Sequence, residues 1–168
     1  MPTRNTNEKA KRDLARGKRP STAAGEYVRE EIEHIRRGQH GARSTKQAIA
    51  IGLSKARRAG VPLKPPAPGR TPTRTRRSAE RDYATGQGRR KPRAPSGRRG
   101  QATERALQRE PRDAASRAAL ARQARGAASR RTAAERSRAA KEASATKGPR
   151  ARSQAAKRAA ATRRRRGE

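Results

Sequence analysis

The residues of this chain that could do chemistry are its arginines and lysines. The chain has 47 Lys and Arg against 14 Asp and Glu, which gives a formal net charge of +33. A guanidinium group binds phosphate through two parallel hydrogen bonds and enters a narrow minor groove more readily than an ammonium group does. Such a surplus of positive charge needs a polyanion to neutralise it, and nucleic acid is the abundant one. The composition therefore predicts nucleic-acid binding.

The predicted phosphate contacts are spread along the chain and are densest near its end. After Leu63 the chain carries 32 basic and 8 acidic residues, and four consecutive arginines stand at residues 163–166. The residues that we expect to contact nucleic acid are Arg43, Lys46, Gln47, Lys55, Arg57, Arg58, Arg74, Arg89, Arg90, Lys91, Arg93, Arg98, Arg99, Arg130, Arg131, Arg163, Arg164, Arg165 and Arg166.

Catalysis and metal binding have little support in the sequence. No nucleophile, base and orienting group stand together, and no glycine-rich loop follows a strand. There is no cysteine, and His34 and His40 are the only histidines, with no evident third ligand. We expect His34 on the exposed face of a helix. The sequence thus predicts a protein that is not an enzyme and that has no metal and no cofactor.

A helical module at residues 21–62 is the element best able to position side chains, with helices at about 23–37 and 45–59. Ser21 or Thr22 is predicted to cap the first helix, and Ser44 with Gln47 forms a capping box for the second. Gly60 stands where a left-handed residue ends a helix. Apolar residues recur at helical spacing and predict a core between the two helices that consists of Val28, Ile32, Ile35, Ile49, Leu53 and Ala56.

The connection between the two helices leaves two architectures open. A helix-turn-helix would place residues 43–47 at the start of a recognition helix, where bases are usually contacted. The connection at residues 38–43 is longer than is usual for that motif, which favours a plain helical hairpin. A module of about 40 residues rarely holds a stable core alone, so a homodimer through this module is also predicted.

Outside the module, large apolar residues are scarce. Leu, Ile and Val together number eleven, nine of them between Leu14 and Leu63, and Phe and Trp are absent. The predicted fold is therefore mostly disordered with a small all-α module, because little apolar area offsets the entropy of folding. Residues 1–20 form a basic N-terminal segment with room for a short helix. Residues 63–100 form a Pro/Gly/Arg-rich linker with a short helix at 76–85, and residues 101–168 form an Ala/Arg-rich arm, helical only transiently or on binding.

Two stretches of sequence carry a resemblance to known proteins. The segments PSTAAGEYVREEIEH at residues 20–34 and HGARSTKQAIAIGLSKARRAGV at residues 40–61 resemble a family of small basic bacterial proteins with a domain of unknown function. The resemblance covers about residues 9–90, and members are often labelled DNA-binding. The Ala/Arg-rich arm is similar to bacterial linker-histone-like tails. The resemblance implies a DNA-binding, histone-like protein.

Together these observations predict a cytoplasmic, nucleoid-associated, architectural protein that contacts DNA phosphates with little dependence on sequence. Duplex DNA is favoured over RNA as the partner. The alternatives are a basic protein that binds RNA or the ribosome, and a transcriptional regulator that recognises sequence through residues 43–47.

Membrane partners and secretion are not expected. No run approaches the roughly 18 apolar residues that a membrane span requires. The segment Met1-Pro2-Thr3-Arg4 lacks the apolar region of a secretory signal.

Overall fold

The computed structural model describes residues 2–92 and 96–167, except the side chains of Thr146, Lys147 and Arg166. The prediction of a mostly disordered chain is wrong, because the protein is folded and almost entirely helical. The described residues form seven α-helices and one 3-10 helix: α1 (Arg4–Ala15), α2 (Pro20–Arg36), α3 (Thr45–Arg58), α4 (Thr73–Gly86), α5 (Gly97–Arg109), the 3-10 helix (Asp113–Ala115), α6 (Arg117–Ser129) and α7 (Ala133–Arg166). The chain divides into two units, Met1–Gln123 and Ala124–Glu168.

Alanine explains why the expectation of disorder fails. Nine of the thirteen buried apolar residues in the described part of the chain are alanines, so a count of Leu, Ile and Val misses most of the core. Alanine has the highest intrinsic helix propensity, and arginine ranks close behind it. A methyl side chain also loses no rotamer freedom on burial. The composition that indicated disorder therefore favours closely packed helices.

Helix α2 is the central element of the first unit and packs against both α1 and α3, while α3 also packs against α4. Two buried clusters hold these helices together. One consists of Ala10, Ala23, Ala24, Tyr27, Ala56 and Val61. The other consists of Ile32, Ile35, Ala42, Ala48, Ala114 and Ala115.

The predicted core residues of the helix pair differ in how deeply they lie. Ile32, Ile35 and Ala56 are buried. Val28 and Leu53 are partly buried and pack against the two clusters. Ile49 is half-buried.

The ends of α3 follow the sequence signals closely. The Ser44 Oγ accepts a hydrogen bond from the Gln47 backbone N–H at 3.2 Å, which confirms the predicted N-cap. Gly60 has φ of +91° and Val61 donates its N–H to the Ala56 carbonyl at 3.1 Å, so the predicted left-handed ending is also confirmed. Helix α2 begins earlier than predicted, with Pro20 in the first turn and Arg19 at the N-cap. Proline suits that position because its φ is already helical.

The segment predicted as a linker contributes a packed helix. Asp82 of α4 accepts a hydrogen bond at Oδ2 from the Ser54 hydroxyl at 2.6 Å. The Gln87 side-chain amide donates to the Gly60 carbonyl at 3.2 Å. A Cβ on Gly86 would overlap the carbonyl oxygen of Arg57, so glycine allows α4 to approach the end of α3.

Residues 107–115 cover the start of α3. Gly41 and Ala42 donate backbone N–H groups to the carbonyls of Leu107 and Pro111, at 2.8 and 2.9 Å. The Thr45 hydroxyl donates to the Ala114 carbonyl at 2.7 Å. Residues 107–115 of the same chain thus pack against the helix pair, where the sequence analysis expected a second copy of the module. A homodimer stays a prediction.

The second unit contains α7, which is interrupted once. Its start carries a complete capping box between Thr132 and Glu135. Gly148 lies outside helical geometry, with φ of 68° and ψ of 166°, and Pro149 follows it. A new helical run therefore begins at residue 149. In the part of the chain that the structure describes, no helix has the length and apolar character to cross a membrane.

Candidate nucleic-acid interface

Most of the basic residues predicted to contact phosphate are exposed. Arg93 lies outside the described residues, and the side chain of Arg166 is not described. The exposed ones are Arg43, Lys46, Arg58, Arg74, Arg89, Arg90, Lys91, Arg98, Arg99, Arg130, Arg131, Arg163, Arg164 and Arg165.

The basic end of α3 shows that sequence alone does not separate structural cations from available ones. Lys55 lies with its Nζ 2.6 Å from the Glu31 Oε2, and the Glu31 side chain is 1% exposed. Arg57 is buried and donates its Nε–H to the Leu63 carbonyl at 3.2 Å. Burial lowers the pKa of Arg57, and nearby Asp82 partly offsets that effect. Of these three basic residues, only Arg58 is exposed. Phosphate contacts by Lys55 and Arg57 stay predictions.

The residues at the start of α3 are also used unequally. Arg43 and Lys46 are exposed. The Gln47 side chain is half-buried, and its Oε1 accepts the Arg43 backbone N–H at 2.9 Å. The Gln47 side chain therefore already stabilises the start of α3. It would have to break this hydrogen bond in order to contact a base.

Aromatic side chains offer no open stacking surface in the described residues. Tyr27 is 2% exposed, and its hydroxyl donates to the Asn7 Oδ1 at 2.8 Å. Tyr83 is half-buried, and the Arg89 guanidinium carbon lies 5.5 Å from the centroid of its ring. Stacking on an aromatic ring is a main source of affinity for single strands. The two tyrosines are engaged within the fold instead.

The helical run at residues 149–166 presents a stripe of positive charge that the sequence analysis missed beyond its last four arginines. This run has eight basic residues and no acidic one. Arg150, Lys157 and Arg164 recur every seven residues, which places them on one face about 10 Å apart along the helix axis. Arg158 and Arg165 flank that face, and all five side chains are exposed. The seven-residue spacing was the signal that could have identified the stripe.

A polar cluster formed by α2 and the turn that follows it is the second feature that the sequence analysis missed. One ligand-type atom each from Glu31, His34 and His40 lies within 4.8 Å of the other two. Glu31 and His34 are one helical turn apart, and the left-handed Gly38 (φ of 77°) turns the chain so that His40 returns to them. The two imidazole centroids are 6.4 Å apart. The prediction that His34 is exposed is wrong, because its side chain is half-buried. The signal that could have identified the cluster was the three-residue spacing of Glu31 and His34, which places both on one face of the helix.

Charge inside this cluster is unevenly balanced. Desolvation lowers the pKa of His34, and the Lys55 charge lowers it further, while Glu30 and Glu31 act in the opposite direction. His40 places its Nε2 3.3 Å from the Glu31 Oε1. His34, His40 and Lys55 line a cavity of about 640 Å³ together with Thr103 and Glu104 of α5.

Comparison with known proteins identifies one region of the chain. No curated protein and no solved structure matches it. Residues 19–66, which contain α2, α3 and the turn between them, match a family of unknown function (DUF6496).

Proposed function

We propose that this protein binds duplex nucleic acid, DNA in preference to RNA, and acts as an architectural, nucleoid-associated protein. The basic stripe of α7, formed by Arg150, Lys157, Arg158, Arg164 and Arg165, supplies phosphate contacts. Exposed arginines of the first unit add further contacts. Recognition is largely independent of base sequence, because phosphate contacts position a protein without identifying bases.

The stripe is the observation that carries this proposal. A helix that presents cations along one face needs no reordering to meet a row of phosphates. Residues 149–166 contain no acidic residue, so no carboxylate within this run competes for the cations. A solvated helix kept only for solubility would carry both signs of charge interspersed. Counterion release from the nucleic acid then provides the driving force.

The engaged tyrosines support a duplex over a single strand. Tyr27 is inside the first unit and Tyr83 faces Arg89, so unstacked bases would find no open aromatic platform there. DNA is preferred to RNA on geometric grounds. The major groove of B-form DNA admits an α-helix, whereas that of A-form RNA is too narrow for side chains to reach.

The experiment compares two charge-matched variants of the full chain. In the first, Arg150, Lys157, Arg164 and Arg165 of the stripe are changed to Gln. In the second, called the α1 variant, four exposed cations of α1 and of the residue that follows it are changed to Gln: Lys9, Lys11, Arg12 and Arg16. Binding to a DNA duplex, to an RNA duplex of the same sequence and to each single strand is measured across a salt series by fluorescence anisotropy.

Log K falls as log salt rises, and we expect this fall to be shallower in the stripe variant. The magnitude of the slope should decrease by about 3.6, since each lost phosphate contact contributes about 0.9. The α1 variant should change that slope by less than about 1. Equal losses in the two variants would show that net charge, and not the stripe, determines binding. Tighter binding to the RNA duplex at matched salt would contradict the DNA preference and favour the RNA-binding alternative.

A further inference from the structure

Glu31, His34 and His40 bring together the donor set of a divalent transition-metal site. Two imidazoles and one carboxylate suit zinc, with a further position left for water or another ligand. The cluster lies wholly within the first unit and shares no residue with the stripe of α7. An inference about it therefore does not depend on the proposed nucleic-acid binding.

The Glu31 carboxylate has one oxygen committed and one left over. Oε2 accepts a hydrogen bond from the Lys55 ammonium group at 2.6 Å. Oε1 is buried and has no hydrogen-bond partner, although the whole side chain is 1% exposed. A buried charged oxygen without a partner is costly, so a ligand for Oε1 would remove a real penalty.

The orientation of His40 points to a cation at this position. Its Nδ1 lies 3.0 Å from the Gly41 carbonyl oxygen. A carbonyl can only accept, so Nδ1 carries the hydrogen and the lone pair of a neutral ring is on Nε2. That lone pair then faces the Glu31 Oε1, and two acceptors face each other unless a cation lies between them. Holding a histidine through its other nitrogen is also how proteins orient metal ligands.

The separation of these two acceptors fits zinc. Ligand nitrogen and oxygen atoms lie about 2.0–2.1 Å from a tetrahedral zinc ion, which places any two of them about 3.3 Å apart. The Glu31 Oε1 and the His40 Nε2 are 3.3 Å apart. His34 completes the set, since its ligand-type nitrogen lies within 4.8 Å of the other two ligand atoms. The adjoining cavity provides room for a water ligand.

We propose that the protein binds one divalent transition-metal ion, with zinc as the best fit, through the Glu31 Oε1, the His40 Nε2 and the His34 imidazole. Lys55 stays on the other oxygen of Glu31 and weakens the site, since its positive charge repels the metal. The competing explanation is a proton on the His40 Nε2, which would make an ordinary ion pair with Glu31. The two explanations predict different metal binding.

The test uses the untagged full chain, stripped of metal with a chelator. Zinc chloride is titrated by calorimetry near neutral pH, and cobalt chloride is titrated by visible absorption, where four-coordinate cobalt has strong bands. The variants are H34Q, H40Q and K55M. E33Q is the matched control, because Glu33 lies on the same helix, half-buried beside Arg37 and outside the cluster.

We expect one ion per chain and a four-coordinate cobalt spectrum. Each histidine variant should lose about a hundredfold in zinc affinity, at least as much as loss of an outer-shell partner costs. K55M should gain about tenfold, because a repelling charge is removed, and E33Q should match the parent chain.

Absence of zinc binding in the parent chain would overturn the proposal in favour of the protonated ion pair. Zinc binding that survives in both histidine variants would also overturn it. If a histidine variant does not fold, as judged by circular dichroism, K55M and E33Q still decide. Weaker zinc binding in K55M, or equal affinity changes in both variants, would contradict the assigned site.

Discussion

Gly52 of α3 lies directly against Val28 of α2, so that a Cβ on Gly52 would come within 2.7 Å of the Val28 Cα. The two helices therefore touch backbone to backbone at this point. Glycine costs about 1 kcal/mol against alanine inside a helix. The close approach of the two helices outweighs that cost.

Gly52→Ala should destabilise the protein despite the better helix propensity of alanine. The added methyl group forces α2 and α3 apart, and overpacking of this kind lowers the free energy of unfolding by about 1–3 kcal/mol. Gly25→Ala is the matched control, because Gly25 is exposed in α2 and a Cβ there would meet nothing within 4 Å. The control should raise the free energy of unfolding by about 0.5–1 kcal/mol. Urea denaturation measures both, and a stabilising Gly52→Ala would contradict the packing.

Substitution of Arg57 should mainly affect stability, whereas substitution of the adjacent Arg58 should mainly affect DNA affinity. Arg57→Gln removes a buried guanidinium and its hydrogen bond to Leu63, which should lower the free energy of unfolding by about 1–3 kcal/mol. Arg58→Gln removes an ion pair with Asp82 in which the Arg58 side chain is 55% exposed, and it should change the free energy of unfolding by less than about 1 kcal/mol. In DNA binding by anisotropy the order reverses, with Arg58→Gln the weaker binder. A greater loss of affinity in a folded Arg57→Gln would instead support the sequence prediction for Arg57.

Tyr27 should link stability to alkaline pH. Burial, and then the nearby Glu30, raise the pKa of its phenol above the ordinary value of 10.0. Above that pH the unfolded chain ionises while the folded chain keeps the proton, so stability falls as the pH rises. Tyr27→Phe should flatten this alkaline loss. It should also lower the free energy of unfolding by about 1 kcal/mol near neutral pH, through loss of the hydrogen bond to Asn7.

Thermal unfolding across an alkaline pH series compares the parent chain with Tyr27→Phe. An identical decline of stability in both proteins would assign the effect to other groups. The ultraviolet absorbance of tyrosinate provides a second measurement, since the chain has only two tyrosines.

Circular dichroism should show little gain in helix when duplex DNA is added. Helix α7 already spans Ala133–Arg166 before any ligand binds, so neutralisation of its cations has few residues left to order. Because the stripe variant described above keeps the same backbone, it should give the same spectrum as the parent chain. A large gain in helix on binding would show that α7 is only marginally helical when free.

The sequence predicts the helix pair well because its signals are local. The Ser44 cap and the Gly60 ending each depend on residues within one or two turns, and the apolar period of α2 points to a face that is indeed buried. Tyr27 is the exception within α2. It is not among the predicted core residues, yet it is buried where α1 brings Asn7 to its hydroxyl, a contact that no local pattern of α2 encodes.

The remaining structure depends on contacts between residues far apart in the sequence. A low-complexity sequence contains no local pattern that predicts such contacts. Thr45 bonds to Ala114 across 69 residues, and Arg36 bonds to the Ala115 carbonyl across 79. Alanines of the buried clusters and alanines of the exposed helices look alike in the sequence. The polar cluster was missed for a related reason, since His40 reaches Glu31 only through the turn at Gly38.

The alanine core has a consequence for how this chain behaves when it opens. A helix that detaches from the first unit uncovers mostly methyl groups and long cationic side chains, with few large apolar side chains. Like charges keep two such opened molecules apart. Partly unfolded copies should therefore stay in solution and refold without aggregating.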